Sequence, residues 1–112
     1  MRLPNGTRGL VERDKVVKYL MNLRHHEGAG KARFFLSLGF RPEEWQALAK
    51  ALLRIAAEET VTHVVESVHG SKYIVDRALD APNGQTALLR TVWIRDLGED
   101  RPRLITAYPR EE

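Results

Sequence analysis

The apolar positions change their rhythm once along the chain, near Thr60, and the change predicts helices before it and strands after it. From Asp14, an expected N-cap, Val16, Leu20 and Leu23 recur at i, i+4 and i+7, with Val17 and Met21 beside them. That spacing predicts an amphipathic helix ending at residues 22–24. Residues 31–38 predict a short second helix closed by Gly39. Arg41-Pro42-Glu43-Glu44 opens a third, because proline is tolerated at the first helical position and carboxylates suit the positive end of the helix dipole. Trp45, Leu48, Leu52 and Ile55 then form one stripe at helical period, which is core material.

Past Thr60 the pattern becomes β-branched and alternating. Residues 61–68 are rich in valine, Gly70-Ser71 punctuates them, and residues 72–79 place Tyr73, Val75 and Leu79 on one side. Pro82-Asn83-Gly84 marks a turn, since Asn and Gly both accept positive φ. Residues 86–95 are the longest strand candidate, 97–102 a polar turn, and 103–108 a last strand stopped by Pro109. Short links between consecutive strands imply antiparallel pairing. The expected fold is α+β, with three N-terminal helices packed on one face of a four-stranded antiparallel meander sheet. One domain is expected over residues 1–112, with 1–12 a loose arm rich in Gly, Pro and Asn.

Composition bounds the function. Hydrophobic residues make up 43% and charged residues 29% of the chain, which is the balance of a globular domain and not of a disordered one. With no cysteine, disulfides and thiolate metal sites are excluded. No signal-like or membrane-spanning run is read, so a cytoplasmic protein without membrane association is expected. The net charge is +3, and the basic surplus is densest over residues 13–33, where it can attract a phosphate backbone or an acidic protein.

Two places combine residue types that carry chemistry. The first is His25-His26-Glu27-Gly28-Ala29-Gly30-Lys31. Gly28 and Gly30 let a ligand approach the backbone, and with Lys31 and Arg33 they make a candidate phosphate cradle. It is not a nucleotide-binding P-loop, which needs Gly at the position of His25 and Ser or Thr at that of Ala32. No histidine spacing matches a dense metal motif, so neither metal nor cofactor is expected. A single histidine beside lysines suits acid–base work instead. The second is the strand set containing Lys72-Tyr73, Arg90-Thr91-Val92-Trp93 and Thr106-Ala107-Tyr108. Strict alternation puts Leu104, Thr106 and Tyr108 on one face, and Leu88, Arg90, Val92 and Ile94 on one face of the neighbouring strand. Tyr73 and Trp93 read as core. Basic and hydroxyl groups on an uncovered sheet face can hold a phosphodiester. Acidic residues are sparse where the basic ones cluster, so two-metal nuclease chemistry, which needs several carboxylates around the ions, is not expected.

Taken together, KARFF…LGF, GSKYIV, APNGQTA, RTVWI and RLITAYP resemble a family of bacterial domains of unknown function, over residues 15–109. Members occur as small stand-alone proteins and as C-terminal modules of polymorphic toxins or phage-related proteins. By topology the chain also resembles the barnase, EndoU, colicin and RelE-like ribonucleases. That analogy implies a toxin that cleaves RNA without a metal. It would use His25 as acid or base, Lys31, Lys72 and Arg90 as charge stabilisers, and Thr106 or Tyr108 to orient the phosphate or supply the second proton. The implied partners are RNA and a cognate antitoxin or immunity protein. Two other readings stay open: a non-catalytic module binding an acidic protein or nucleic acid, and an assembly role through an edge strand, as in a homodimer.

Overall fold

Two regular helices precede a four-stranded antiparallel sheet in the computed structural model, which describes residues 1–110. They are α2 (Ala29–Ser37) and α3 (Trp45–Glu58), the latter entered through a 3-10 turn at Pro42–Glu44. The Pro-Glu-Glu start and the stripe are both realised: Leu48, Leu52 and Ile55 are buried, while Trp45 is partly covered. Helix α2 ends as its glycine predicts. Gly39 has φ 98°, its N–H donates to the Leu36 carbonyl, and the Phe40 N–H reaches back to Phe35.

The first predicted helix is not a regular one. A single α-helical turn, α1 (Arg13–Lys15), passes into a π-helical turn at Val16–Leu20, closed by Met21 N–H donating to the Val16 carbonyl at 2.8 Å. The helix ends at Leu20, short of the expected 22–24, and the chain turns away from the core beyond Met21. Val16, Leu20 and Met21 stay buried, but Leu23, which a 3.6-residue period assigns to the same face, is 53% exposed. Residues 1–12 are also not loose. Leu3 and Val11 are buried, Arg2 bridges to Thr60, and Leu10 bridges to Arg103, so this segment laces both margins of the sheet.

The sheet order is β1 (Val61–Ser67), β2 (Gly70–Asp80), β3 (Thr86–Asp96) and β4 (Arg103–Pro109). One face carries Tyr73, Val75, Leu79, Leu89, Thr91, Trp93, Leu104 and Ala107, all buried, and they pack with Val16, Leu20, Phe35, Leu48 and Leu52. Two polar groups inside this layer, those of Thr91 and Trp93, are satisfied by each other and the backbone. Trp93 Nε1 donates to Thr91 Oγ1 at 2.8 Å, and Thr91 Oγ1 donates to the Val75 carbonyl at 2.7 Å. Asn83 ties the β2–β3 turn to the end of α2 through the carbonyls of Leu38 and Ser37.

One break in alternation reshapes the last strand. The β3–β4 register shifts between Val92 and Trp93, so Leu104 opposes Trp93, while Thr106 opposes Val92 and Tyr108 opposes Arg90. Ile105 is the inserted residue. Leu104 and Ala107 face the core and Thr106 and Tyr108 face away from it, which corrects the expectation that Leu104 shares a face with them.

Gly70 is required at the start of β2. Its φ is 135°, and a Cβ there would collide with the Arg95 carbonyl across the ladder. Gly70→Ala is expected to cost about 3 kcal/mol from backbone strain and overlap. Thermal unfolding should show it as a fall in Tm of roughly 10 °C or more; an unchanged Tm would refute the steric argument.

Candidate functional site

The bulge matters because it turns two hydroxyl side chains toward the face that the helices leave uncovered. On that face Asp76, Arg90 and Tyr108 are direct cross-strand partners on β2, β3 and β4. The adjoining row holds His63, Ile74, Val92 and Thr106. Neighbouring strands lie about 4.8 Å apart, so each row is a short contiguous band.

The helical half closes the band at the β4 edge. Tyr19, on the π-helical turn, makes a 3.2 Å hydrogen bond between its hydroxyl and Thr106 Oγ1. The Lys31 ammonium lies 5.3 Å from the Tyr19 ring centre and 5.9 Å from that of Tyr108, so it sits over both rings. Lys15 approaches Tyr19 at 5.1 Å, and the His25 ring meets it edge-on at 4.9 Å. Tyr19, His25, Lys15, Lys18 and Arg103 line a shallow groove of about 440 Å³ beside this cluster.

The loop before α2 is built around His25. Its Nδ1 accepts the backbone N–H groups of Glu27 and Gly28 at 3.1 and 3.0 Å, so the neutral ring carries its proton on Nε2. Gly28 is buried, and a Cβ there would strike the Tyr19 carbonyl. Its glycine character thus serves the close packing of the loop on Tyr19, and its N–H is already taken. Gly30 and Arg33 are exposed at the start of α2, beside Lys31.

Charge is arranged around one buried carboxylate. The Asp76 side chain is only 6% exposed and accepts from Arg90 Nε and Nη2, both at 2.9 Å, and from Arg110 Nη1 at 3.3 Å. The Arg90 hydrogen bond, against the effect of burial, holds the Asp76 carboxyl below the usual carboxylate range. The same pairing raises the Arg90 guanidinium further above its ordinary value, and Tyr108 adds to it. For Tyr19, burial alone would raise the phenol. Hydrogen bonds with Thr106 and Lys31, together with the charges of Lys31 and Lys15, outweigh it and bring the group below its ordinary value.

The structure thus brings together five of the residues singled out in the sequence: His25, Lys31, Arg90, Thr106 and Tyr108. Lys72 is not among them. It pairs with Ile94 on the same face but lies four residues from Asp76 along β2, about 13 Å away, and is exposed. Tyr19 and Asp76 belong to the cluster and were not anticipated. Tyr19 was hidden inside an apparently ordinary helix, although a tyrosine between two lysines at i−4 and i−1 is a signal in retrospect. Asp76 is one of four acidic residues on the strands, with Glu66, Asp80 and Asp96, and nothing in the sequence sets it apart from them. Among the described residues no three His, Asp or Glu side chains gather as a metal-ligand set, and no helix is long and apolar enough to cross a membrane.

An α+β domain with its polar cluster on the uncovered sheet face, closed by a helical turn at one edge, is the class this geometry defines. The chain belongs to the family described as Domain of unknown function (DUF6883), whose model matches residues 2–111. No curated protein matches it significantly. Among solved structures, it is similar to a chain of a contact-dependent growth inhibition toxin–immunity protein complex from Klebsiella pneumoniae 342. The TM-score is 0.75 at 16% sequence identity, covering 89% of this chain and 98% of that one. At that identity the likeness establishes a common fold.

Proposed function

We propose that the protein is a toxin domain of ribonuclease type that cleaves RNA without a metal ion. The observation that carries this reading is the Lys31 ammonium seated over Tyr19 and Tyr108, next to the Thr106 hydroxyl and within one strand of Arg90. Cationic, hydroxyl and aromatic groups on one open face suit a phosphodiester with its flanking bases. A fold shared with a chain of a toxin–immunity complex agrees with a toxin-like kind.

In this reading Lys31 and Arg90 stabilise the charge that builds on the phosphoryl oxygens as the ribose 2′-oxygen attacks. Asp76 holds Arg90 through Nε and Nη2, which fixes the guanidinium beside Tyr108. The His25 Nε2–H and the Thr106 hydroxyl orient the phosphate, and Tyr108, beside the Arg90 guanidinium, supplies the proton to the leaving 5′-oxygen. Arg33 and the exposed start of α2 at Gly30 extend the cationic path for the strand, and a cognate immunity or antitoxin protein would cover the same face. Lys72 has no role at the reacting phosphate.

The test is direct. Purified protein incubated with total bacterial RNA and excess chelator is expected to release fragments ending in 2′,3′-cyclic phosphate, and its expression to arrest cell growth. Intact RNA and normal growth under confirmed soluble expression would sink the reading. Salt-sensitive RNA binding without turnover would establish the alternative, a basic module that only holds its partner.

A further inference from the structure

The reaction needs a group at the Lys31 cluster to take the 2′-hydroxyl proton, and the structure offers one that the sequence did not. With Nδ1 engaged by two backbone N–H groups, His25 presents a donor, Nε2–H, to the groove. We infer that the Tyr19 phenolate oxygen is the base that takes the 2′-hydroxyl proton, a step that rests on the ribonuclease reading above.

Four observations meet at this residue. Tyr19 sits on a π-helical turn, a local distortion that is often retained where a side chain must be aimed at a site. Its hydroxyl is fixed by Thr106 Oγ1 and lies on the uncovered side of the sheet, at the edge strand. Two ammonium groups lie against its ring, Lys15 and Lys31, and Asp14, on the preceding turn α1, pairs with Lys18 at 3.4 Å. Glu12 and Asp14 line the same groove, and the aromatic ring of Tyr19 is braced by His25. The lowering of the Tyr19 phenol by Thr106 and the two lysines accords with such a role.

Position then assigns the two proton transfers to different hydroxyls. Thr106, which anchors Tyr19, and Tyr108 are two residues apart on one face of β4, about 7 Å along the strand. A phosphodiester over Lys31 would have one hydroxyl near each end of its in-line axis. The Tyr19 oxygen accepts the 2′ proton as the 2′-oxygen bonds to phosphorus. The bond from phosphorus to the 5′-oxygen breaks, and that oxygen takes the Tyr108 proton. The products are a cyclic phosphate and a free 5′-hydroxyl, with Tyr19 protonated and Tyr108 ionised beside Arg90. Exchange of one proton with water at each phenol restores the start.

The experiment uses the full chain, its Tyr19→Phe and Thr106→Val variants, and total bacterial RNA as substrate. Tyr19→Phe keeps the ring against His25 and Lys31, and is expected to lower the rate of new cyclic-phosphate ends by about 10²–10⁴-fold. It should also abolish the rise of rate with pH, which a purely structural role would leave in place. Thr106→Val should move that rise to higher pH. Ultraviolet titration of the three tyrosines should show one ionising ahead of the others, and that early step should vanish in Tyr19→Phe. An active chain whose rate or pH profile is unaffected by Tyr19→Phe, or a Tyr19 that ionises with or after the other two, overturns the assignment and leaves the ribonuclease reading standing. Unaltered protein that leaves RNA intact overturns both.

Discussion

Lys31→Ala is expected to reduce RNA cleavage by about 10²–10³-fold, while Tm falls by only about 4–8 °C. On the ribonuclease reading proposed above, the size follows from the loss of one preorganised charge aimed where negative charge would develop in the transition state. The stability effect is small because the ammonium is partly solvated and its contacts are with two ring faces, each worth about 0.5–1 kcal/mol at such sites. Lys31→Arg separates charge from shape. A guanidinium keeps the positive charge, but its planar fork cannot replace a compact ammonium placed over two rings, so only partial recovery is expected. Initial rates of cyclic-phosphate formation, with thermal melts of each variant, check both halves. A fully active Lys31→Ala protein would remove the residue from the site.

The sequence made the order of elements legible because each half repeats its signal many times. Leu48, Leu52 and Ile55 agree on one helix face, and Tyr73, Val75 and Leu79 on one strand face. What it concealed are single-residue irregularities, and two of them fall at the site. The π-helical turn has no residue type to announce it, yet it carries Tyr19 to the edge of the sheet and ends the helix before Leu23, which lies exposed in the following turn. The bulge at Ile105 likewise has no glycine or proline to mark it, and it separates Leu104 from Thr106 and Tyr108. Period counting assumes that the period holds, so it fails where one residue is inserted.

The candidate site was legible as residue types and illegible as geometry. His25 and Lys31 came from the glycine loop, and Arg90, Thr106 and Tyr108 from polar interruptions in apolar strands; all five meet. Lys72 satisfied the same criterion and lies elsewhere, because facing the same side of a sheet does not fix distance along a strand. The glycines of the loop illustrate a second limit. Sequence alone reads a glycine as room for a ligand, whereas Gly28 makes room for the Tyr19 carbonyl. Its function is to press the loop onto the π-helical turn, and through that contact His25 reaches Tyr19.

Asp76→Asn is expected to destabilise the fold by about 3 kcal/mol near neutral pH, and to impair cleavage through Arg90. The carboxylate is nearly sealed from water and is the shared counter-charge of Arg90 and Arg110. Its removal leaves two guanidinium groups facing each other across an uncharged amide, the costly way to break a buried pair. The sign of the pH dependence is fixed by the direction of the shift. Because Arg90 holds the folded-state carboxyl below its unfolded value, the stabilisation is complete above the ordinary aspartate range. It declines as pH falls through that range and is gone below the folded-state value. Urea unfolding of the unaltered and Asp76→Asn proteins should therefore differ most at neutral pH and converge in acid. A constant gap across pH would mean that the variant loses packing and not a charge. Arg90→Met separates positioning from charge stabilisation: it empties the site of the guanidinium while leaving Asp76 to Arg110. If Asp76 acts only through Arg90, the double variant should cleave RNA no more slowly than Arg90→Met alone, since a residue with nothing left to position has no further effect on rate.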